Sequence, residues 1–527
     1  MKLKDVINKK NIIIILLIII MCGVMFFYQT KKEGLHEDEG FTLTSAVNPI
    51  NGLLYAYEGT DEKTMDPPVW KSREYVKDYV SLAKDNYSNL TSVYLNQAKD
   101  NHPPIFYILV HFSTMLFGGK FSMYSVFVVN IIAFIFSCFV IKKILKEINK
   151  ENITSAVLIL YGLCMGTISM VIYQRMYMLL TLFVLLYFYY NIKIYKNNFE
   201  MTRIDIMKLG LITVGGFLTQ YFFATYALGI FLVMAIKMYK DKKKDLMKRY
   251  IVVHIVYAIL GIMIFPSCLY HLLFSGKGVI NFGKISYFEN FFGYINQLDY
   301  IFSIKTGILV LYVVLVLVCL QITKLHERKS ERFAVMIASV PTLIFFIITA
   351  KVTPFPELRY IMPVIPIMAL NLYIMLDTLI DVKYKEVFFI GLSIVLVLFG
   401  MIVSKPKFLY EDYKEIMKIA EENKDKSFVY VYDNFFNHMQ SIPEMITYKR
   451  TLIVNEARND EVSYIISDES LNNENSYILS IKSYLNNSEI IERIRNETDF
   501  KNITTLYLSD TESTELKVDN NLYLVSK

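Results

Sequence analysis

Apolar runs of about 14 to 23 residues recur along the chain, separated by short polar connections, which is the pattern of helices that cross a bilayer. The runs fall at 12–28, 121–141, 153–172, 176–192, 206–219, 221–236, 251–270, 306–322, 333–349, 360–379 and 387–403. They predict an α-helical polytopic membrane protein with about 11 transmembrane helices.

The connections orient these spans. The first run has no small-residue cleavage site and is followed by Lys31-Lys32-Glu33, so it reads as a retained signal-anchor with residues 1–10 in the cytoplasm. The basic connections at 142–150, 193–208, 237–249, 324–332 and 383–385 then all fall on the cytoplasmic side, as the positive-inside rule requires. This holds only if 102–118 is not a full span. That stretch begins at Pro103-Pro104 and ends at Gly118-Gly119, which suits a short helix lying along the membrane surface.

Two soluble parts are expected on the outer side. The first outer loop, 29–119, is too long to be left unstructured in a compact protein. Within it, Val76, Val80, Ala83, Tyr87, Leu90 and Tyr94 recur at helical spacing and predict one amphipathic helix along the bilayer. Beyond residue 403 the long apolar runs end. Short β-rich runs at 428–432, 451–454, 463–466, 477–481, 505–508 and 522–525 alternate with helical patterns at 413–423, 438–448 and 483–495. Residues 404–527 therefore read as a C-terminal extracytoplasmic α/β domain following the transmembrane domain 1–403.

Composition agrees with this organisation, since 54% of residues are hydrophobic and the mean hydropathy is +0.37, which excludes an ordinary soluble globule. The net charge of +6 hides a division: 404–527 hold 15 Lys/Arg against 22 Asp/Glu and leave +13 for the remainder. That excess suits membrane anchoring, and no nucleic-acid partner is expected. All five cysteines sit inside apolar runs, so neither a disulfide framework nor a cysteine metal cluster is available.

Four polar patterns line up on the outer side. Asp38-Glu39 follows the first span, and Asp100-Asn101-His102-Pro103-Pro104-Ile105-Phe106-Tyr107 opens the interfacial helix. Gln174-Arg175-Met176-Tyr177 makes the tight turn after the third span, and Leu358-Arg359-Tyr360 begins the tenth. In this order and on one side, they resemble the GT-C superfamily of lipid-linked-sugar glycosyltransferases over residues 10–400. The resemblance is closest to the bacterial branch related to protein O-mannosyltransferases, glycosyltransferase family 39. Gln220-Tyr221-Phe222 stands where many relatives carry His or Lys before the aromatic pair, and His36-Glu37 adds an imidazole and an acid ahead of Asp38. Substrate choice is expected to differ accordingly.

The resemblance implies transfer of a hexosyl or pentosyl group from a polyprenyl-phosphate donor to a hydroxyl acceptor of the cell envelope, at the outer face of the cytoplasmic or inner membrane. An acceptor alcohol is a poor nucleophile, and a carboxylate that takes its proton during attack typically adds ~10²–10⁴ in rate; Asp38 is the candidate base. Arg175 and Arg359 are candidates to bind the leaving phosphate through paired N–H groups. Asp100, His102, Tyr177 and Tyr360, in the same motifs, complete the expected substrate site. Glu39 is expected to join Asp38 in catalysis by orienting the acceptor, or to hold a divalent cation (magnesium or manganese) with it.

Plainer explanations exist for each residue: acids beyond a span are commonly just solvated, interfacial arginines snorkel to lipid phosphates, and a histidine caps a helix. Two other functions have about this many spans. A secondary transporter or flippase of lipid-linked glycans would place ionisable groups near mid-membrane, where this chain has almost none. A non-catalytic envelope scaffold would tolerate loss of Asp38.

Overall fold

The computed structural model of the chain describes residues 9–49, 68, 70–274, 286–302, 312, 314–318, 329–433, 438–456, 462–509 and 519–527. Among them, eight helices are long and apolar enough to cross a membrane: Lys10–Gln29, Tyr124–Glu147, Tyr177–Lys196, Phe222–Lys240, Lys244–Ile264, Lys329–Val352, Leu358–Leu379 and Lys385–Val403. Each matches a predicted run. A ninth run, 153–172, is broken into Glu151–Leu163 and Met165–Ile172, which meet at 57°. Cys164 is extended between them, and the flanking glycines admit close neighbours, since a Cβ on Gly162 would collide with Met21 and one on Gly166 with Ile301 and Ile365. Run 206–219 forms the helix Arg203–Phe217 of 15 residues, whose rise of about 22 Å falls short of a hydrocarbon core of about 30 Å. The predicted span 306–322 lies largely outside the described residues.

The helix Ile105–Met115 has 11 residues and is too short to cross. It buries Phe106, Tyr107 and Val110 while exposing Leu109 and Phe112, as a surface helix should. The single amphipathic helix expected over 76–94 is instead three pieces: Arg73–Tyr79, a 3-10 turn Lys84–Asn86, and Leu90–Lys99. The helix breaks because Leu82 N–H is taken by Gly119 O at 2.7 Å. Gly119 sits at φ +78° with Leu82 O where a Cβ would lie, so only glycine fits that crossing. Asn89 then caps the next helix through Ser92 N–H.

A six-stranded sheet lies beside one end of the bundle. Its strands are β1 Trp70–Ser72, β2 Ser427–Tyr432, β3 Arg450–Asn455, β4 Ser476–Lys482, β5 Asn502–Tyr507 and β6 Asn520–Ser526, in the order β1-β3-β2-β4-β6-β5. The three central strands are parallel and the rest antiparallel. Residues 463–466, expected as a strand, lie in the helix Val462–Ser467: Val462 and Ile465 are buried and Tyr464 is exposed, which is helical spacing over a run too short for the sequence to distinguish. The helix expected over 438–448 contracts to Ile442–Met445.

Strand β1 was not predicted. It comes from the first long loop and is pinned by Trp70, whose Nε1–H donates to Asp468 Oδ2 at 2.6 Å and whose ring lies 3.9 Å beneath the Arg450 guanidinium. Alternate residues of the sheet serve different cores. Val429, Val431, Leu479 and Ile481 pack with Ile490 and Ile494 of the helix Asn487–Glu497. Phe428, Tyr430, Tyr432 and Ile478 join the core that runs on through the bundle. The sheet is thus packed on the same end of the bundle as residues 32–48.

Candidate active site

The segment around the paired acids folds as a helix start. His36 is the N-cap of the helix Glu37–Val47: its Nδ1 accepts from Asp38 N–H at 3.0 Å, while the Glu39 carboxylate accepts from His36 N–H at 2.7 Å. This reciprocal capping box fixes the first turn. Adjacent residues on a helix are turned by about 100°, so the two acids face different surroundings.

Glu39 faces inward. Its Oε1 accepts from Gln174 N–H at 2.7 Å, and its Oε2 pairs with Lys32 Nζ at 3.0 Å, both side chains being sealed from solvent. Lys32 also donates to Phe408 O at 2.6 Å. Burial pushes the Glu39 carboxyl upward against the pull of Lys32.

Asp38 keeps 28% of its side chain exposed. Its Oδ2 accepts from the Tyr173 hydroxyl at 3.2 Å and from Arg359 Nη1. Arg359 reaches Tyr173 Oη at 3.0 Å, pairs with Glu357 through Nε and lies 5.1 Å from the centre of the Tyr360 ring. Burial alone would raise the Asp38 carboxyl, but the Arg175 and Arg359 guanidiniums outweigh it and hold it far below the usual carboxylate range.

Arg175 is buried in the turn between Met165–Ile172 and Tyr177–Lys196. Its Nη1 donates to Thr42 Oγ1 at 2.9 Å, Tyr107 Oη at 3.1 Å and Asp38 O at 3.2 Å. Its Nη2 lies 2.9 Å from His102 Nε2, and His102 Nδ1 lies 2.8 Å from Asp100 Oδ2. A guanidinium only donates, so His102 accepts at Nε2 and carries its proton on Nδ1, facing Asp100. Burial raises the Asp100 carboxyl, but His102, the Asn101 N–H and Arg175 together outweigh it and bring it down to about 2. Arg175 Nε is buried with no hydrogen-bond partner among the described residues.

One connected network therefore holds Asp38, Asp100, His102, Arg175, Arg359 and Tyr360, drawn from four distant stretches of sequence. Tyr177 joins by stacking, 6.0 Å and 12° from Tyr173. Glu39 stands outside the network, turned toward Lys32. Asp38 and Glu39 do not converge on a common point: each faces its own protein cation, so they do not fit a shared divalent ion. Among the described residues no group of three or more His, Cys, Asp or Glu has ligand geometry. Sequence reasoning missed Tyr173, Tyr107, Thr42, Glu357, Lys32 and Phe408. Thr42 was readable as the residue one helical turn beyond Asp38, and Tyr107 closes the quoted motif of the interfacial helix. The capping box was visible as an acceptor side chain three residues ahead of a glutamate.

No protein-family profile matches the chain, and no curated protein sequence does. Two of the solved structures that share its fold do so over nearly the whole length. ArnT from Cupriavidus metallidurans bound to undecaprenyl phosphate gives a TM-score of 0.55 at 10% identity, with 97% of each chain covered. The same protein in the apo state gives 0.53 at 11% identity, again with 97% of each chain covered. The chain accordingly shares the fold of that protein and is a polytopic membrane protein with a C-terminal α/β domain.

Proposed function

We propose that the protein is a membrane glycosyltransferase that moves a sugar from a polyprenyl-phosphate donor to a hydroxyl acceptor on the outer face of the cytoplasmic membrane. The observation that carries this reading is Asp38: a partly exposed carboxylate bridged to Arg359 and Tyr173 and backed by Arg175. A fold shared with a protein whose structure holds undecaprenyl phosphate supports the lipid donor. The order of the four motifs supports the branch related to O-mannosyltransferases.

In this mechanism the acceptor oxygen bonds to the anomeric carbon as the bond from that carbon to the phosphate oxygen breaks. The acceptor proton passes to Asp38, and the lipid phosphate leaves with the electron pair. Asp38 has little basicity while two guanidiniums face it. A phosphate oxygen binding Arg359 competes for that cation, which loosens the ion pair and raises the proton affinity of Asp38 where it is needed. Arg175 stabilises the charge that grows on the phosphate. Glu39 is a positioning residue: with Lys32 and Gln174 it fixes the helix that presents Asp38.

The test is transfer of radiolabelled sugar by the purified full chain from a panel of polyprenyl-phosphate sugars, with chelated samples in parallel. Turnover in the wild type that is lost in Asp38→Asn supports the reading. No turnover with any donor, from folded protein and a broad set of acceptors, overturns it.

A further inference from the structure

The chain leaves the last span at Val403 and does not start the next helix until Tyr413. The strap between them carries two residues with left-handed backbone, Phe408 at φ +68° and Tyr410 at φ +52°. Asn149, Asn198, Phe199 and Lys242, the other non-glycine residues with positive φ among the described residues, lie just beyond helix C-termini, where that conformation is routine. In an aromatic residue away from a helix end it is strained and persists only where surrounding contacts over-determine it.

Those contacts hold the strap from two sides. Lys407 N–H donates to Ser169 Oγ at 2.9 Å, and Ser169 lies on the helix that ends beside Tyr173. Tyr300 O–H donates to Lys405 O at 2.8 Å. On the other side, Lys32 Nζ holds Phe408 O, and Glu33 N–H holds Leu409 O at 2.9 Å. Gly34 is needed there, because a Cβ would lie 2.9 Å from Tyr410 Cβ. Between these anchors the Phe408 ring stacks on Tyr173, with centroids 4.0 Å apart and planes 17° from parallel, and meets the His36 ring edge-on at 6.3 Å. Tyr173 is the phenol that touches both Asp38 and Arg359.

We propose that Phe408 is a positioning residue for sugar transfer: through its stack on Tyr173 it sets the Asp38–Arg359 pair, and the strained strap is the brace that holds it there. The proposal rests on the transferase reading of the site. It also makes the root of the C-terminal domain part of the active site, since Phe408 belongs to the segment joining that domain to the last span.

The experiment compares kcat and KM for the lipid donor in wild type, Phe408→Ala, Phe408→Tyr, Tyr173→Phe and the double variant Phe408→Ala/Tyr173→Phe, all as full chains. A displaced catalytic group typically costs up to about 100-fold, so Phe408→Ala is expected to lose about 10- to 100-fold in kcat with KM within about twofold. Phe408→Tyr keeps the stacking ring and should recover most of the loss. If Phe408 acts through Tyr173, the double variant is no worse than the poorer single. Normal kcat in folded Phe408→Ala, or losses that multiply in the double variant, overturns the proposal.

A structure of Phe408→Ala gives a readout independent of turnover. Tyr173 Oη moving away from Asp38 Oδ2 supports the proposal, and an unchanged contact overturns it. Absence of turnover in the wild type counts against the transferase reading alone, because this structural readout still decides the role of Phe408.

Discussion

Among the described residues, buried ionic clusters lie at both ends of the bundle, and they differ in a way that separates scaffold from chemistry. At the end away from the sheet, Lys150 sits between Asp377 and Glu331, with Asn152 and Lys385 adding contacts to Asp377. Lys150, Asp377 and Glu331 expose only 5%, 7% and 14% of their side chains. At the other end, Asp38, Asp100 and His102 keep 24% to 28% exposed, and the cations are guanidiniums interleaved with tyrosine hydroxyls and an imidazole. The first arrangement satisfies its charges and closes. The second holds a partly exposed carboxylate under strong positive potential from two guanidiniums. Burial and ion pairing alone would have ranked the two clusters equally; access and mixed chemistry distinguish them.

The sharpest break in that comparison is Asp38→Asn. It keeps the shape and the Tyr173 contact but removes the proton acceptor, so transfer should fall by ~10²–10⁴, while thermal unfolding changes little. Initial rates on purified protein check this, and normal turnover would remove Asp38 as base. Arg359→Lys is next. A lysine keeps one charge but loses the fork that meets Asp38, Glu357 and a phosphate together, so kcat should drop by about 10²-fold, with the Asp38 carboxyl less strongly held down.

The closed cluster should respond in the opposite sense. Lys150→Ala removes the cation that lies between Asp377 and Glu331 and should cost ~3–5 kcal/mol of stability, read as a lower unfolding midpoint, with unchanged kcat per folded molecule. Glu39→Gln tests which class Glu39 belongs to. Its carboxylate is sealed with Lys32, so the variant should behave like Lys150→Ala: loss of stability of similar size, and turnover reduced only through the helix it positions. A catalytic collapse without destabilisation would move Glu39 into the active cluster.

The eight long helices of the bundle were legible because each contains an apolar run of nearly membrane-spanning length, and the four motifs were legible because their residue types stand out against an apolar background. What the sequence concealed was pairing across distance. Asp38 and Glu39 look equivalent as adjacent acids, and only the turn of the helix sends one to Arg359 and the other to Lys32. Phe408 reads as an unremarkable aromatic in a polar linker, because its left-handed backbone and its stack on Tyr173 have no local signature. Trp70 likewise has no flanking apolar alternation to mark β1, since its strand is three residues long and exists through β3, some 380 positions away.

The smallest expected effect concerns pH and the cap itself. His36 is enclosed by Tyr173 and Phe408; burial is the main cause of its pKa falling to about 3, with Arg359, Arg175 and Lys32 adding to the fall against Asp38. Its folded value therefore lies below the unfolded value of about 6.5, so the unfolded chain binds the extra proton between those two pH values. Stability from the neutral cap is complete above about 6.5 and is lost progressively as pH falls toward 3. Asn is a good N-cap that does not titrate, so His36→Asn should retain the helix start and flatten the decline of the unfolding midpoint between pH 6.5 and 4. An equal slope in the variant would mean that some other group carries the acid sensitivity.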